Sequence, residues 1–179
     1  MLVVLVEEPS MKAALEILFP KIGVHSFIII AHEGVTDLER SLPRKLRGWR
    51  DPNARFLIIR DNDNGDCIAR KDKLLSIVKN AGKTDRVLVR IVCQELEAWF
   101  IGDIEALRDS GVLTAKKTPA SLTKDPDTIP HPAELLAKLK DGYQKIAGAR
   151  EIATHMNPGD NRSDSFNQTM NAAIELSTY

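Results

Sequence analysis

Short unbroken apolar runs alternate with amphipathic stretches through the N-terminal part of the chain. Leu2 to Val6 is a β-branched run, followed by a stretch to Phe19 in which Ala14, Leu15, Leu18 and Phe19 recur at helical spacing. Ser10 has the chemistry of an N-cap for that helix, and Pro20 and Gly23 end it. A second apolar run, His25 to Ala31, is centred on Phe27-Ile28-Ile29-Ile30. Thr36-Asp37-Leu38-Glu39 matches a capping box, which predicts a helix start there, and Pro43 is expected to divide that helix into two short pieces. Phe56 to Ile59 is the third strand, and Asp66 is placed to cap a helix whose apolar residues Ile68, Leu74, Leu75 and Val78 precede a stop at Gly82. Arg86 to Val92 is the fourth strand and leads into a helix expected over Glu95 to Leu107.

Strands alternating with helices predict an α/β domain with a central parallel sheet of about four strands covered on both faces. Continuous apolar strands agree with burial on both sides. Residues 1–110 form this core on the sequence pattern. Residues 111–132 change character, with Pro119, Pro126, Pro130 and Pro132 among Lys, Thr and Asp, and read as a connection. Residues 133–179 are helical: one stretch from Ala133 to about Lys145, another to Met156, a turn at Asn157-Pro158-Gly159-Asp160, and a last helix near Phe166 to Leu176. They are expected to pack on the core, giving a single domain overall.

Composition narrows the function classes. The chain has 179 residues, with 43% hydrophobic and 28% charged, as in globular domains that build a core without staples. Its 25 basic and 25 acidic side chains cancel, which argues against a sequence-blind grip on nucleic acid through overall charge and leaves only local patches. Cys67 and Cys93 lack metal-type spacing and suit a reducing cytoplasm. The N-terminal run meets Glu7 and Glu8 without a basic leader, so it reads as a strand, and no apolar run has membrane-spanning length.

The candidate chemistry lies in the acids at the strand ends. Ligand-binding groups of open α/β sheets collect at the carboxyl ends of the strands. Glu7 and Glu8 follow the first strand, Asp61 and Asp63 the third, and Glu95 and Glu97 the fourth. Carboxylates brought this close repel one another and raise each other's pKa unless a cation lies between them, and a hard divalent cation is the economical partner. The run Asp61 to Asp72 fails as an EF-hand: Gly65 and Asp66 stand at loop positions five and six, where the glycine belongs at six, and Asp72 replaces the final glutamate. On a helix Glu95 and Glu97 sit about 200° apart, so one of the two is expected near the metal, Glu95 by preference. Trp99 is expected in the core. Asp66 is either a cap or a ligand, and His32 with Glu33 follows the second strand, where a backbone group is its usual partner. Arg40, Arg44 and Arg47 share one helical face, which is either a solvated surface balanced by Asp37 and Glu39 or a phosphate-tracking one.

A glutamate after the first strand and Asp61-x-Asp63 after the third resemble the TOPRIM domain of topoisomerases, primases and OLD-type nucleases. The runs Asp61-Asn62-Asp63-Asn64-Gly65-Asp66-Cys67 and Glu95-Leu96-Glu97-Ala98-Trp99-Phe100-Ile101-Gly102-Asp103, with Ser163-Asp164-Ser165-Phe166, resemble more closely a TOPRIM-like bacterial family carrying a domain-of-unknown-function label. The resemblance implies a three-layer TOPRIM-like fold and a Mg²⁺ or Mn²⁺ site with Glu7, Asp61 and Asp63 as ligands and catalytic groups, Glu95 as a further ligand, and Glu8, Asp66, Glu97 and His32 as accessory residues. It implies a nuclease or phosphodiesterase working on nucleic acid in a bacterial defence or mobile-element setting, beside an ATPase partner. The alternative is a non-catalytic module that binds metal or nucleotide and regulates such a partner. One departure is Glu8-Pro9, where the TOPRIM glutamate is commonly followed by glycine.

Overall fold

The computed structural model of the chain describes residues 1–178. Strands β1 (Leu2–Val6), β2 (Phe27–Ala31), β3 (Arg55–Asp61) and β4 (Val87–Val92) form one all-parallel sheet in the order β2-β1-β3-β4. The helices are α1 (Pro9–Lys21), α2 (Val35–Gly48), α3 (Cys67–Asn80), α4 (Glu97–Ile101), α5 (Ile104–Asp109), α6 (Pro132–Leu139), α7 (Lys145–His155) and α8 (Asp164–Ser177). This is the α/β layout expected of a TOPRIM-like domain.

The two-residue period of the strands sorts the core into two layers. Val4, Val6, Leu57 and Ile59 join a cluster with Leu15 and Phe19 of α1, Trp99 and Phe100 of α4, Ile152 of α7, and Phe166 and Met170 of α8. Val3, Leu5, Phe56 and Ile58 join a second with Leu38, Leu42 and Leu46 of α2 and Leu74 and Val78 of α3. Because β1 adjoins β2 on one side and β3 on the other, while α1 and α2 cover opposite faces, the chain changes direction between β1 and β3. Their carboxyl ends therefore open onto the crevice where such sheets bind ligands.

Several local expectations are corrected. Pro43 does not divide α2, which is continuous over Val35–Gly48. Its inner stripe of Leu38, Leu42 and Leu46 is fully buried, and that packing outweighs the about 3 kcal/mol that an interior proline costs. The capping box does not form either. Gly34 occupies the cap with φ 91°, and the Asp37 carboxylate accepts from the Glu33 N–H instead. Glu8, not Ser10, is at the cap of α1, with Pro9 as first helical residue.

The helix expected over Glu95 to Leu107 is two helices, because Asp103 caps α5 through the Ala106 N–H (3.0 Å) and also accepts from the Asn157 N–H (2.8 Å). Gly102 lies at this break, where a side-chain methyl would collide with Oδ1 of Asn161. Asn161 cannot yield freely: its amide donates to the Trp99 carbonyl and its Oδ1 accepts from the Ser163 N–H, each at 2.8 Å. Gly102→Ala is accordingly expected to destabilise the protein by about 1–3 kcal/mol in urea unfolding. An unchanged midpoint would refute the tight packing of this corner.

The connection through residues 111–132 is bound to the core. It contains 3-10 turns at Ala120–Leu122 and Pro126–Thr128, and Leu122 and Ile129 are buried among the α1-side cluster. The Arg162 guanidinium donates to the carbonyls of Ile101, Leu122, Thr123 and Lys124. Asp127 is the second tie. Its carboxylate accepts from both Ser163 and Ser165 hydroxyls and from the Ser165 N–H, while Trp99 Nε1 donates to Ser165 Oγ. The Ser163-Asp164-Ser165-Phe166 run thus serves as the α8 cap and a lock on the connection.

Candidate functional site

The backbone at the carboxyl edge is shaped to crowd its acids. Asn62 N–H donates to the Val92 carbonyl and Asp63 N–H to the Gln94 carbonyl, extending the β3–β4 pairing into both loops. Asp63 (φ 47°), Asn64 (φ 56°) and Gln94 (φ 64°) all take left-handed backbone. Three such non-glycine residues together are strain of the kind that collects at functional sites.

Asp61 is buried, and its Oδ1 has no hydrogen-bond partner. Burial, reinforced by the charges of Glu8, Glu7, Glu97 and Asp63, pushes its pKa well above the carboxylate range. Glu97 is fully buried in the first turn of α4 with neither oxygen hydrogen-bonded. Burial raises its pKa to about 7 against the opposing pull of Lys145. The structure gives Glu95 and Glu97 different surroundings. Glu95 turns away, its Oε2 accepting from the Ala133 N–H at the start of α6 (2.9 Å), and the break at Gly102–Asp103 frees the short α4 to carry Glu97 inward.

Glu7 lies on the other side of the sheet edge. Its Oε2 accepts from the Asp61 N–H (3.3 Å) and stands 3.7 Å from Arg60 Nε. Its pKa is raised by burial first and by Asp63 next, with Arg60 opposing. Glu8 faces the α7 side, accepting from Ser10 Oγ and standing 3.7 Å from Lys145 Nζ. Lys145 remains charged: burial alone would depress it, but Glu97, Glu8, Glu95 and Asp61 outweigh that and raise its pKa. Asp63 is half-exposed, 3.9 Å from Arg70.

Asp61 is thus the point that both groups share, with Glu7 and Asp63 toward Arg60 and Glu8 and Glu97 toward Lys145. As the side chains stand, no group of three or more His, Cys, Asp or Glu among the described residues is arranged to hold a metal ion. The donor set nevertheless suits a hard cation, because it is all carboxylate and leaves buried oxygens without partners.

The remaining candidates lie outside this cluster. Asp66 caps α3 through the Ala69 N–H (3.0 Å). His32 is buried, with Nδ1 donating to the Val6 carbonyl and Nε2 accepting from Lys45, and burial lowers its pKa. It is a neutral, satisfied core histidine. Arg44 and Arg47 are exposed on α2, and Arg40 pairs with Asp37 (3.2 Å).

The family profile described as Domain of unknown function (DUF4276) matches residues 6–172. The chain belongs to the DUF4276 family. Its fold is similar to the solved C-terminal region of the Burkholderia pseudomallei OLD protein, with a TM-score of 0.62 and 18% identity over 99% of this chain and 98% of that one. At that identity the likeness is one of fold. A search of curated proteins finds no match, and no helix of the described residues is long and apolar enough to cross a membrane.

In this DUF4276 chain the sequence pattern did not point to Arg60, Lys145 or Tyr143. Arg60 sits inside an apolar strand yet bridges Glu7 and Glu39, the latter at 3.1 Å. Tyr143 is a partly buried phenol whose hydroxyl is enclosed and unpartnered, its pKa raised by burial and then by the charges of Glu97 and Glu8. The charge that ends Phe56-Leu57-Ile58-Ile59-Arg60 is the one visible signal, since burying an arginine requires carboxylate partners.

Proposed function

We propose that this chain is a divalent-metal-dependent phosphoryl-transfer enzyme, a TOPRIM-like nuclease that takes Mg²⁺ or Mn²⁺ at its carboxyl-edge acids. The observation that carries the reading is the buried, unpartnered oxygens of Asp61 and Glu97 amid Glu7, Glu8 and Asp63. Leaving such groups charged and unpaired is costly, and a cation offsets the cost for all of them together. Asp61, Glu97 and Glu8 would hold an ion on the α7 side, and Glu7 and Asp63 on the Arg60 side. When bound, such an ion polarises a phosphoryl oxygen and lowers the pKa of bound water. The chain's own part is to orient these carboxylates, to keep Asp61 and Glu97 out of water, and to offer the Lys145 ammonium to an arriving phosphate. The TOPRIM resemblance and the OLD-like fold support nucleic acid as the substrate, with a defence or mobile-element setting and an ATPase partner following from the resemblance.

Incubation with plasmid and with single-stranded DNA and RNA in Mg²⁺ or Mn²⁺ tests the reading. Cleavage is expected, and Asp61→Ala/Asp63→Ala is expected to lower it by at least about a hundredfold, the scale of losing a group that stabilises the transition state. No cleavage under any condition, or equal cleavage by the variant, removes the assignment.

One observation favours a second reading, a binding module without turnover. Glu8, standing where glycine commonly follows the TOPRIM glutamate, is already held by Ser10 and Lys145. That reading predicts a thermal shift with Mn²⁺ or nucleotide and no product.

A further inference from the structure

A groove of about 450 Å³ lies between the Pro-rich connection and α6, beside the acidic cluster. Lys124, His131 and Lys138 line it together with Ile129 and Leu135, and Glu134 is its one acid. Neither lysine makes an ion pair or a side-chain hydrogen bond among the described residues. Two contacts tie the groove's walls to the loops that follow β3 and β4: His131 Nδ1 lies 3.4 Å from Asn64 Nδ2, next to Asp63, and Glu95 holds the Ala133 N–H at 2.9 Å. His131 takes left-handed backbone (φ 51°) between Pro130 and Pro132, so its position is stiffly defined.

We infer that this groove holds one flanking nucleotide of a single-stranded nucleic acid whose neighbouring phosphodiester lies at the acidic cluster. The inference rests on the phosphoryl-transfer reading and adds to it where the strand runs. A polyanion approaching five carboxylates is repelled everywhere except where cations line the route. The groove supplies cations in Lys124 and Lys138, and its His131 adjoins Asn64 of the Asp63–Asn64 loop. Its volume falls within the range of about 300–1,000 Å³ common to small-ligand pockets. The apolar floor of Ile129 and Leu135 takes a base or sugar, while Lys124, Lys138 and His131 meet the phosphates. A duplex keeps its bases stacked inward and presents none to such a floor, so the single strand is the better fit.

Fluorescence anisotropy of an end-labelled oligo-thymidine with the full chain in EDTA reads this binding without metal or cleavage. Lys124→Glu/Lys138→Glu alters two exposed side chains, and its fold is checked by circular dichroism. Affinity is expected to fall at least about tenfold, and the slope of log affinity against log salt to flatten by about 1.4, the worth of two phosphate contacts on a single strand. Arg44→Glu/Arg47→Glu should stay within about twofold of the parent. Absence of binding by the parent, equal binding by the lysine variant, or a larger loss in the arginine variant overturns the inference. Calorimetric titration of Mn²⁺ into the parent and Asp61→Ala reads the metal site alone, so failure of the groove and failure of the metal reading are told apart.

Discussion

Replacing Arg60 by methionine is expected to cost about 3–5 kcal/mol of folding stability, the range found when one partner of a buried ion pair is removed. The Arg60 side chain is 7% exposed, and its carboxylate partners Glu7 and Glu39 are 13% and 16% exposed. Methionine preserves most of the packing but leaves Glu7 with no cation at close range. Glu39 keeps Lys73 at 2.7 Å, so the penalty falls chiefly on Glu7. Urea unfolding at neutral pH in EDTA measures it. Arg60→Met/Glu7→Gln should recover a large share of the loss, because it removes the stranded charge as well. A cost below about 1 kcal/mol, or a double variant no better than the single, would contradict a buried bridge. Added Mn²⁺ should also stabilise Arg60→Met by more than it stabilises the parent, since an ion at Glu7 takes over the missing charge.

Glu97→Gln is expected to make the metal-free protein more stable at pH 8 and to leave it nearly unchanged at pH 4.5. The folded pKa of Glu97 is raised from 4.5 to about 7. A carboxyl raised in this way is protonated more readily in the folded than in the unfolded chain. Its stabilising contribution is fully present below pH 4.5 and is lost as pH rises through about 7. A shift of that size corresponds to about 3 kcal/mol across this window. Glutamine stays neutral and removes the decline, so the parent's stability should fall relative to the variant between about pH 5 and 8. Thermal unfolding of both proteins in EDTA over this range is the measurement. Parallel curves would rule out a buried, unpaired Glu97. Saturating Mn²⁺ at pH 8 should reverse the order, because the parent gains the ion's binding energy and the variant has lost a ligand.

These two residues mark where sequence reasoning stops. Both elements that carry Arg60 and Glu97 were anticipated, β3 from its apolar run and an α-helix following β4 from its spacing. Arg60 carries no local signature of its role, because an otherwise apolar strand conceals which face each residue takes until α2 supplies Glu39 as its partner. Spacing alone does not separate Glu95 from Glu97, because about 200° between them on a helix says only that they face different ways. The helix breaks at Gly102–Asp103, and the Ala133 N–H, distant in sequence, captures Glu95. Tyr143 and Lys145 reach the acids only because α7 packs along α1, a contact with no local signature.

By itself the sequence determined the four strands, the helices between them, and the delivery of acids to one edge. Those features follow from short-range periodicity and from the rule that strands in an open parallel sheet end on the same side. Burial on both faces holds fully only for the central β1 and nearly so for β3, with Ile28 of the edge strand β2 exposed. Tertiary structure alone decided which acids lose their water and which find a partner. Desolvation depends on what packs over a group, and pairing depends on segments remote along the chain, as Arg60 with Glu39, Glu95 with Ala133 and Asp127 with Ser163 and Ser165 each illustrate.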